Sequence, residues 1–338
     1  MKLQQNISLK NYNTFGIDVN ATYFIEISTV DDLREALQLK GVPEPFILSG
    51  GSNMLLTKEI SSLVLYINLK GIDIVEEDED YVTIRVMAGE NWHSLVLWTL
   101  ERDYGGLENL SLIPGNTGTA PIQNIGAYGV EIKDVFKSCE AMNMETLDIV
   151  TFTKEECDFG YRDSYFKRSG KGKFVITSVC LVLSKRNHRL HTSYGAIGNQ
   201  LQKNGVDQPT IRDVSNAVIA IRSSKLPDPA KIGNSGSFFK NPVLSREEFE
   251  VFISANPDSP NYPAAEGMVK VPAGWLIEQC GFKGKKFGDA GVHKDQALVL
   301  VNYGGASGAD ILKLARRIQA TVREKFNIEL QPEVNIIE

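Results

Sequence analysis

The chain has 338 residues, more than one average core accommodates, so two or three domains are expected. Its 42% hydrophobic and 23% charged residues are those of an ordinary soluble globular protein, and a net charge of −6 argues against a nucleic-acid or anionic-membrane surface. Met1 to Asn20 holds no apolar signal core and nowhere do about eighteen apolar residues run together, so a cytoplasmic protein with no membrane partner is expected.

Short strand-like runs alternate with helical patterns, which suggests α+β or α/β layers. Phe46-Ile47-Leu48 is a short apolar run that empties into a glycine loop, Ser49-Gly50-Gly51-Ser52-Asn53. Val82, Ile84 and Val86 alternate with other residues as in a half-buried strand, and Gly89-Glu90-Asn91 then leads into a helix over Trp92–Glu101. Another strand is read over Phe174–Leu183. Val214, Ala217, Val218 and Ile221 share one helical face, and Ser223 to Pro229 breaks that helix in what reads as a domain junction. Ser245 with Glu248 has the capping-box spacing ahead of Phe249, Phe252 and Ile253. Ile311, Leu314, Ala315, Ile318 and Val322 define a long amphipathic helix, and a final strand over Ile328–Ile337 carries Gln331-Pro332-Glu333. No internal repeat or low-complexity segment interrupts this order.

Cys139, Cys157, Cys180 and Cys280 show no C-x-x-C pairing and read as free thiols, and the four histidines lack H-E-x-x-H spacing, so no metal centre is expected. There is no G-x-G-x-x-G and no G-x-x-x-x-G-K-[ST], which removes the Rossmann and Walker signatures. Two glycine loops, Gly50 to Asn53 and Gly115 to Gly129, nevertheless offer closely spaced backbone N–H groups of the kind that hold pyrophosphate. Each alone is equally readable as a turn between strands. Gly233-Asn234-Ser235-Gly236-Ser237-Phe238-Phe239-Lys240-Asn241-Pro242 places serine between glycines and follows it with two aromatics and a lysine. The aromatics could wall off a serine hydroxyl as a proton source, although the stretch alone also fits a tight turn before a strand.

Several stretches point the same way: Asn13-Thr14-Phe15-Gly16-Ile17, Gly50-Gly51-Ser52-Asn53, Ile113 to Gly129, Tyr161-Arg162-Asp163-Ser164, the serine stretch and Pro332-Glu333. In this order, and over almost the full chain, they resemble the UDP-N-acetylenolpyruvoylglucosamine reductases, the MurB family of bacterial cell-wall synthesis. Ser235 stands where alanine is usual in the family, and Thr117 and Thr119 occupy small-residue positions. Asn261-Tyr262-Pro263 ahead of Gly267 resembles the tyrosine-bearing loop of the type I branch.

The resemblance implies an α+β, three-domain flavoprotein with a vanillyl-alcohol-oxidase-like (PCMH-type) FAD-binding fold. Residues 1–67 with 329–338 would form the first FAD-binding subdomain, 68–222 the second, and 223–328 the substrate-binding domain. It further implies that NADPH reduces FAD and leaves, and that a UDP-sugar then takes the same site and is reduced to UDP-N-acetylmuramate. Gly50, Gly51, Ser52, Asn53, Thr117, Gly118, Thr119, Gln123, Asn124, Ile125 and Gly126 match the cofactor-binding positions.

The implied chemistry is reduction of an enol-ether double bond conjugated to a carboxylate. Hydride addition at the terminal carbon leaves enolate-like charge that needs a fixed cationic donor, and the carbon next to the carboxylate needs a proton. Arg162 suits the first task because a guanidinium holds a carboxylate in two-point geometry. Ser237 is the implied proton donor, and Glu333 either polarises the intermediate or assists protonation. Tyr194, Lys225, Asn241, Tyr262, Lys270, Lys283 and Gln296 match the family's substrate-binding positions, with Tyr262 on a loop that could fold over the ligand as a lid. A related flavin oxidase and a non-catalytic sugar-nucleotide binding protein are the alternatives. The first would not need Ser237 and Glu333, and the second would predict the loss of Arg162, Ser237 or Glu333, all of which are present. A monomer is expected.

Overall fold

A computed structural model describes residues 1–338 apart from 195 and 266, and its chain divides into two units that each draw on separate stretches of sequence. The first unit comprises Met1–Ile7, Ala21–Gly50 and Ile60–Ser224; the second comprises Ser8–Asn20, Gly51–Glu59 and Lys225–Glu338.

In the first unit an antiparallel five-stranded sheet runs in the order Ile149–Thr153, Phe136–Asn143, Phe174–Ser184, Tyr81–Met87, Ile72–Glu77. The alternation of Val82, Ile84 and Val86 turns these side chains to one core, where they meet Val179, Leu181 and Leu183 of the neighbouring strand. The helix Trp92–Glu101 covers that core with the bounds expected from the sequence. It starts there because the Asn91 side chain accepts the Ser94 N–H at 3.0 Å, and Trp92 is locked by its indole N–H donating to the Leu110 carbonyl at 3.0 Å. A second sheet pairs Asn20–Ile27 and Pro45–Leu48 in parallel with Ile60–Ile67. The helix Val30–Leu37, opened by a Thr29–Asp32 capping box, packs Leu33 and Ala36 on it. Ile211–Lys225 is helical and buries Val214, Ala217, Val218 and Ile221 on the face read from the sequence.

In the second unit an antiparallel sheet runs in the order Gly233–Ser237, Val299–Asn302, Ala290–Val292, Lys286–Phe287. The helix Gly308–Phe326 buries Ile311, Leu314, Ala315, Ile318 and Val322, starts at a Ser307–Asp310 capping box and stops at Asn327 in the left-handed conformation. The helix Arg246–Ala255 has the Ser245–Glu248 capping box expected from the sequence.

Two elements differ from the sequence reading. The final strand spans only Asn335–Ile337, parallel to Met54–Leu56. Proline lacks the N–H that a ladder needs, and Pro332 makes only an isolated bridge with Phe239. Tyr262-Pro263 is a short edge strand paired with Met268–Lys270 rather than a free loop. Among the described residues no helix is long and apolar enough to cross a membrane, and no group of His, Cys, Asp and Glu could hold a metal ion. All four cysteines are free thiols.

Candidate active site

The glycine loop of the first unit is held by its own backbone. The N–H groups of Thr117, Gly118 and Thr119 donate to the carbonyls of Glu90, Ala88 and Asn116 at 2.8, 2.9 and 3.1 Å. A Cβ on Gly118 would lie 2.5 Å from that of Ala88, and one on Gly50 would lie 2.8 Å from the Gly115 Cα. Both glycines thus allow segments of the chain itself to approach closely. The N–H groups of Thr117 to Thr119 are therefore not free donors. Asn124 is likewise committed: its amide nitrogen donates to Glu131 at 2.9 Å and to the Gly160 carbonyl at 3.0 Å, and its oxygen accepts the Lys133 N–H at 3.3 Å. Ile125 N–H donates to the Ala120 carbonyl at 3.1 Å, and Gln123 is half-buried in the same loop.

The loop after the Pro45–Leu48 strand behaves differently. The Ser49 hydroxyl is buried without a hydrogen-bond partner among the described residues, a position that a polar ligand would satisfy. Gly50 follows it in the first unit, and Gly51, Ser52 and Asn53 carry the chain into the second. Gly51 has φ +57, and a Cβ there would lie 2.0 Å from the Tyr12 carbonyl oxygen, so only glycine fits. A neutral, glycine-rich run beginning with an unsatisfied hydroxyl suits the oxygens of a dinucleotide such as FAD. Ser49 was missed as a site residue because an orphaned hydroxyl is a property of packing, not of spacing.

Arg162 sits at a turn closed by the Gly160–Asp163 bridge, with φ 54, a conformation that favours glycine and that costs an arginine about 1 kcal/mol. The turn aims its guanidinium at the start of the Gly126-Ala127 strand, where Nη2 donates to the Gly126 carbonyl at 2.5 Å and Nη1 reaches the Asn124 carbonyl at 3.4 Å. A Cβ on Gly126 would come 3.0 Å from Nη1. This glycine is therefore a seat for Arg162. Tyr128 packs on the Ile197, Val218 and Ile221 cluster and meets the exposed ring of Tyr194 edge-on, at 6.3 Å between centroids.

In the second unit, Asn13-Thr14-Phe15 braces the serine strand. The Asn234 N–H donates to the Thr14 carbonyl at 2.9 Å, the Thr14 N–H donates to the Gly51 carbonyl at 3.1 Å, and a Cβ on Gly233 would lie 2.1 Å from the Phe15 carbonyl oxygen. The strand's register against Val299–Asn302 shifts between Asn234 and Ser237, with Gly236 at φ +68. That irregularity separates the two serines. Ser235 is buried and donates to the Met54 carbonyl at 3.1 Å. Ser237 is half-buried, and its hydroxyl has no hydrogen-bond partner among the described residues. Glu333 is brought beside the same strand by its N–H, which donates to the Phe238 carbonyl at 2.8 Å, while its own carbonyl accepts from the Asn53 amide at 3.4 Å.

The remaining candidates of this unit fall into two groups and two outliers. Tyr262 and Lys270 are direct cross-strand partners, with the Tyr262 ring exposed. Asn241 accepts the Ala273 N–H at 3.0 Å, and the Gln296 carboxamide oxygen would lie 3.2 Å from a Cβ on Gly274, so both meet the start of the helix Ala273–Gln279. Lys283 is ion-paired with Glu278 at 2.8 Å, and Lys225 is exposed at the end of its helix.

Comparison with known proteins gives one answer. A sequence model described as UDP-N-acetylenolpyruvoylglucosamine reductase, C-terminal domain, matches residues 228–337, and one described as FAD binding domain matches residues 21–151. The UDP-N-acetylenolpyruvoylglucosamine reductase of Flavobacterium johnsoniae is 58% identical over 337 residues, covering 100% of both chains. That of Pseudomonas putida is 49% identical over 336 residues and 98% of each chain. Among solved structures, UDP-N-acetylenolpyruvylglucosamine reductase (MurB) from Thermus caldophilus superposes with TM-score 0.69 at 25% identity over 100% of both chains. A solvent-stable cholesterol oxidase shares the fold alone, with TM-score 0.51 and 12% identity over 98% of this chain and 86% of that one.

Proposed function

The chain belongs to the UDP-N-acetylenolpyruvoylglucosamine reductase (MurB) family, and on that premise we propose how its own residues carry the reaction. It is an FAD- and NADPH-dependent oxidoreductase that reduces UDP-N-acetylenolpyruvoylglucosamine to UDP-N-acetylmuramate, in peptidoglycan precursor synthesis. Its fold is α+β, of the vanillyl-alcohol-oxidase-like (PCMH) type.

FAD, when bound, takes a hydride from NADPH and makes it available to the terminal carbon of the enolpyruvyl group. The Ser49 hydroxyl and the Gly50 to Asn53 backbone would hold it, together with the faces of the Gly115 to Gly129 loop not already bonded within the chain. Residues 1–67 with 329–338 and 68–222 are assigned to this task, and 223–328 to the sugar nucleotide.

Arg162 holds the enolpyruvyl carboxylate and stabilises the negative charge that develops there. Its backbone strain supports this role, since a left-handed arginine is retained only where its surroundings fix it. Ser237 Oγ gives its proton to the carbon next to the carboxylate, completing a net addition of hydride and proton across the double bond, and the alkoxide is reprotonated from solvent. A serine hydroxyl is a weak acid, but the acceptor is a strongly basic enolate carbon. Glu333 assists at the same strand. Tyr262 with Lys270, and Asn241 with Gln296, are assigned to the UDP-sugar, as are Tyr194, Lys225 and Lys283. The partner is thus a small molecule, and the enzyme is assigned as a cytoplasmic monomer without nucleic-acid or membrane partners.

The observation that carries the assignment of the proton donor is the contrast between Ser235, buried and bonded, and Ser237, without a hydrogen-bond partner among the described residues. In Ser237→Ala, FAD content and flavin reduction by NADPH stay near normal in stopped-flow absorbance. Reoxidation by UDP-N-acetylenolpyruvoylglucosamine slows by about 10³-fold or more. Reoxidation at the wild-type rate would mean that the proton comes from elsewhere.

A further inference from the structure

In the first unit the turn Glu108–Leu110 is anchored to its surroundings. The Leu110 carbonyl accepts the Trp92 indole N–H at 3.0 Å, and the next residue, Ser111, is hydrogen-bonded through its hydroxyl to that of Ser215, on the helix Ile211–Lys225, at 2.8 Å. Asn109, at the centre of the turn, is 1% exposed. From there its amide nitrogen reaches two separate segments, donating to the Tyr128 carbonyl at 3.1 Å and to the His191 carbonyl at 2.8 Å. Both partners are acceptors, so the position needs an NH2 group, and neither a carboxylate nor a hydrocarbon of the same shape can serve. The amide oxygen is buried without a hydrogen-bond partner among the described residues. An unused buried acceptor is destabilising, so what Asn109 contributes lies in its two donors.

Residues 189–193 lie in no helix or strand, and among the described residues no other hydrogen bond reaches them from elsewhere in the chain. Tyr194 follows directly, with its ring exposed. The second segment held by Asn109 packs against that ring. Tyr128 meets it edge-on at 6.3 Å between centroids, and a Cβ on Gly129 would lie 3.3 Å from the Tyr194 Cδ2. One amide thus fixes both the backbone that leads into Tyr194 and the wall on which its ring rests. An exposed aromatic side chain on an irregular segment can point many ways, and a ligand that needs one of them binds more weakly by the entropy of selecting it.

We propose that Asn109 is a positioning residue for the sugar nucleotide, holding the Tyr194 ring in the orientation that this ligand meets. The inference rests on the functional reading above, which gives Tyr194 to the sugar nucleotide. Asn109, enclosed in its turn, acts through the tyrosine.

The test is a double-mutant cycle in FAD-loaded protein, with the Kd of UDP-N-acetylmuramate read from perturbation of oxidised-flavin absorbance. Tyr194→Ala should raise that Kd about tenfold, and Asn109→Leu, which keeps the shape and removes both donors, about threefold to tenfold. With both substitutions the Kd should match that of Tyr194→Ala alone, because the side chain that Asn109 places is gone. A residue that only supported the fold would weaken binding equally in either background, so effects that multiply independently overturn the proposal. So does an unchanged Kd in Asn109→Leu with full flavin content. If Tyr194→Ala alone binds as the wild type does, the assignment of Tyr194 fails and the proposal with it, whereas the two preceding outcomes leave that assignment standing. Should Asn109→Leu not fold, Asn109→Ser, smaller and too short to reach either carbonyl, is taken through the same cycle and decides in the same way.

Discussion

Two glycines separate the two units in character. Gly118 of the first unit must be glycine because space is lacking: a Cβ would strike Ala88 at 2.5 Å. Gly236 of the second must be glycine because of its backbone angle: φ is +68, but nothing lies within 4 Å of where a Cβ would stand. The glycine loop is packed against its own strands and has spent its donors internally. The serine strand is irregular, open on one side and keeps a hydroxyl unused. The comparison teaches that a glycine can be required by space or by backbone angle, the first in a loop bonded to its own strands and the second beside the Ser237 hydroxyl.

The largest effect that sharpens this contrast comes from substituting the glycines. Gly118→Val forces a branched side chain into a packed backbone, which costs about 3 kcal/mol or more. FAD content and thermal stability should fall together, because the loop itself is displaced. Gly236→Ala meets no atom and pays only for its angle, about 1 kcal/mol. Its Tm should fall by a few degrees with full flavin content retained. Equal losses in both variants, read by melting and by flavin absorbance, would erase the distinction between a spatial and a conformational glycine.

Next in size is the second serine. Ser235→Ala removes a buried hydrogen bond to the Met54 carbonyl and should cost about 1 kcal/mol by urea unfolding, with both half-reactions within a few-fold of wild type. This is the mirror of Ser237→Ala, which should leave stability intact. If Ser235→Ala also stops substrate-driven reoxidation, the register shift does not separate the two hydroxyls.

The smallest effect is a pH dependence seated in the first unit. Burial and then the Arg222 charge hold the His93 pKa below its ordinary value. The folded state therefore binds fewer protons than the unfolded one below about pH 6.5. The stability tied to neutral His93 is fully present above that pH and is lost as pH falls toward the lower folded value. This window lies above the range where the helix-capping carboxylates Asp32, Asp213, Glu248 and Asp310, all held low by hydrogen bonds, are protonated. Between about pH 7 and 5 the urea midpoint should drop in the wild type and drop less in His93→Gln. Identical slopes would show that His93 does not carry the dependence.

What the sequence made legible follows from local physics. The helix Trp92–Glu101 begins at Asn91 because a side-chain cap is a local matter, and the buried face of Ile211–Lys225 follows from a periodicity set by the helix itself. The strand expected over Ile328–Ile337 failed because apolar alternation does not say whether a partner exists, and Pro332 cannot donate to one. In the site, Ser237 and Arg162 were named from the family resemblance, while the left-handed turn at Arg162 and the register shift before Ser237 are visible only in the fold. Asn124 was named too, yet its amide is bonded to Glu131, Gly160 and Lys133 within the loop, which fits it to hold the loop's shape. Ser49 was not named. What marks it is a missing partner among the described residues, and that exists only once distant segments have packed.

The strand Asn335–Ile337 lies parallel to Met54–Leu56, and the Thr57 hydroxyl donates to the Ile337 carbonyl across 280 residues of sequence. Neither unit is a continuous stretch of chain, since each is assembled from three segments. During synthesis, the strand Met54–Leu56 must therefore wait for its ladder partner until almost everything after it has been made. At a few residues per second to about twenty, that wait lasts tens of seconds. Closing so long a loop also makes such contacts late ones in folding. The apolar run Met54-Leu55-Leu56 is thus a segment that a nascent chain leaves exposed for most of its elongation, a natural point for a chaperone to hold and for aggregation to begin when none is present.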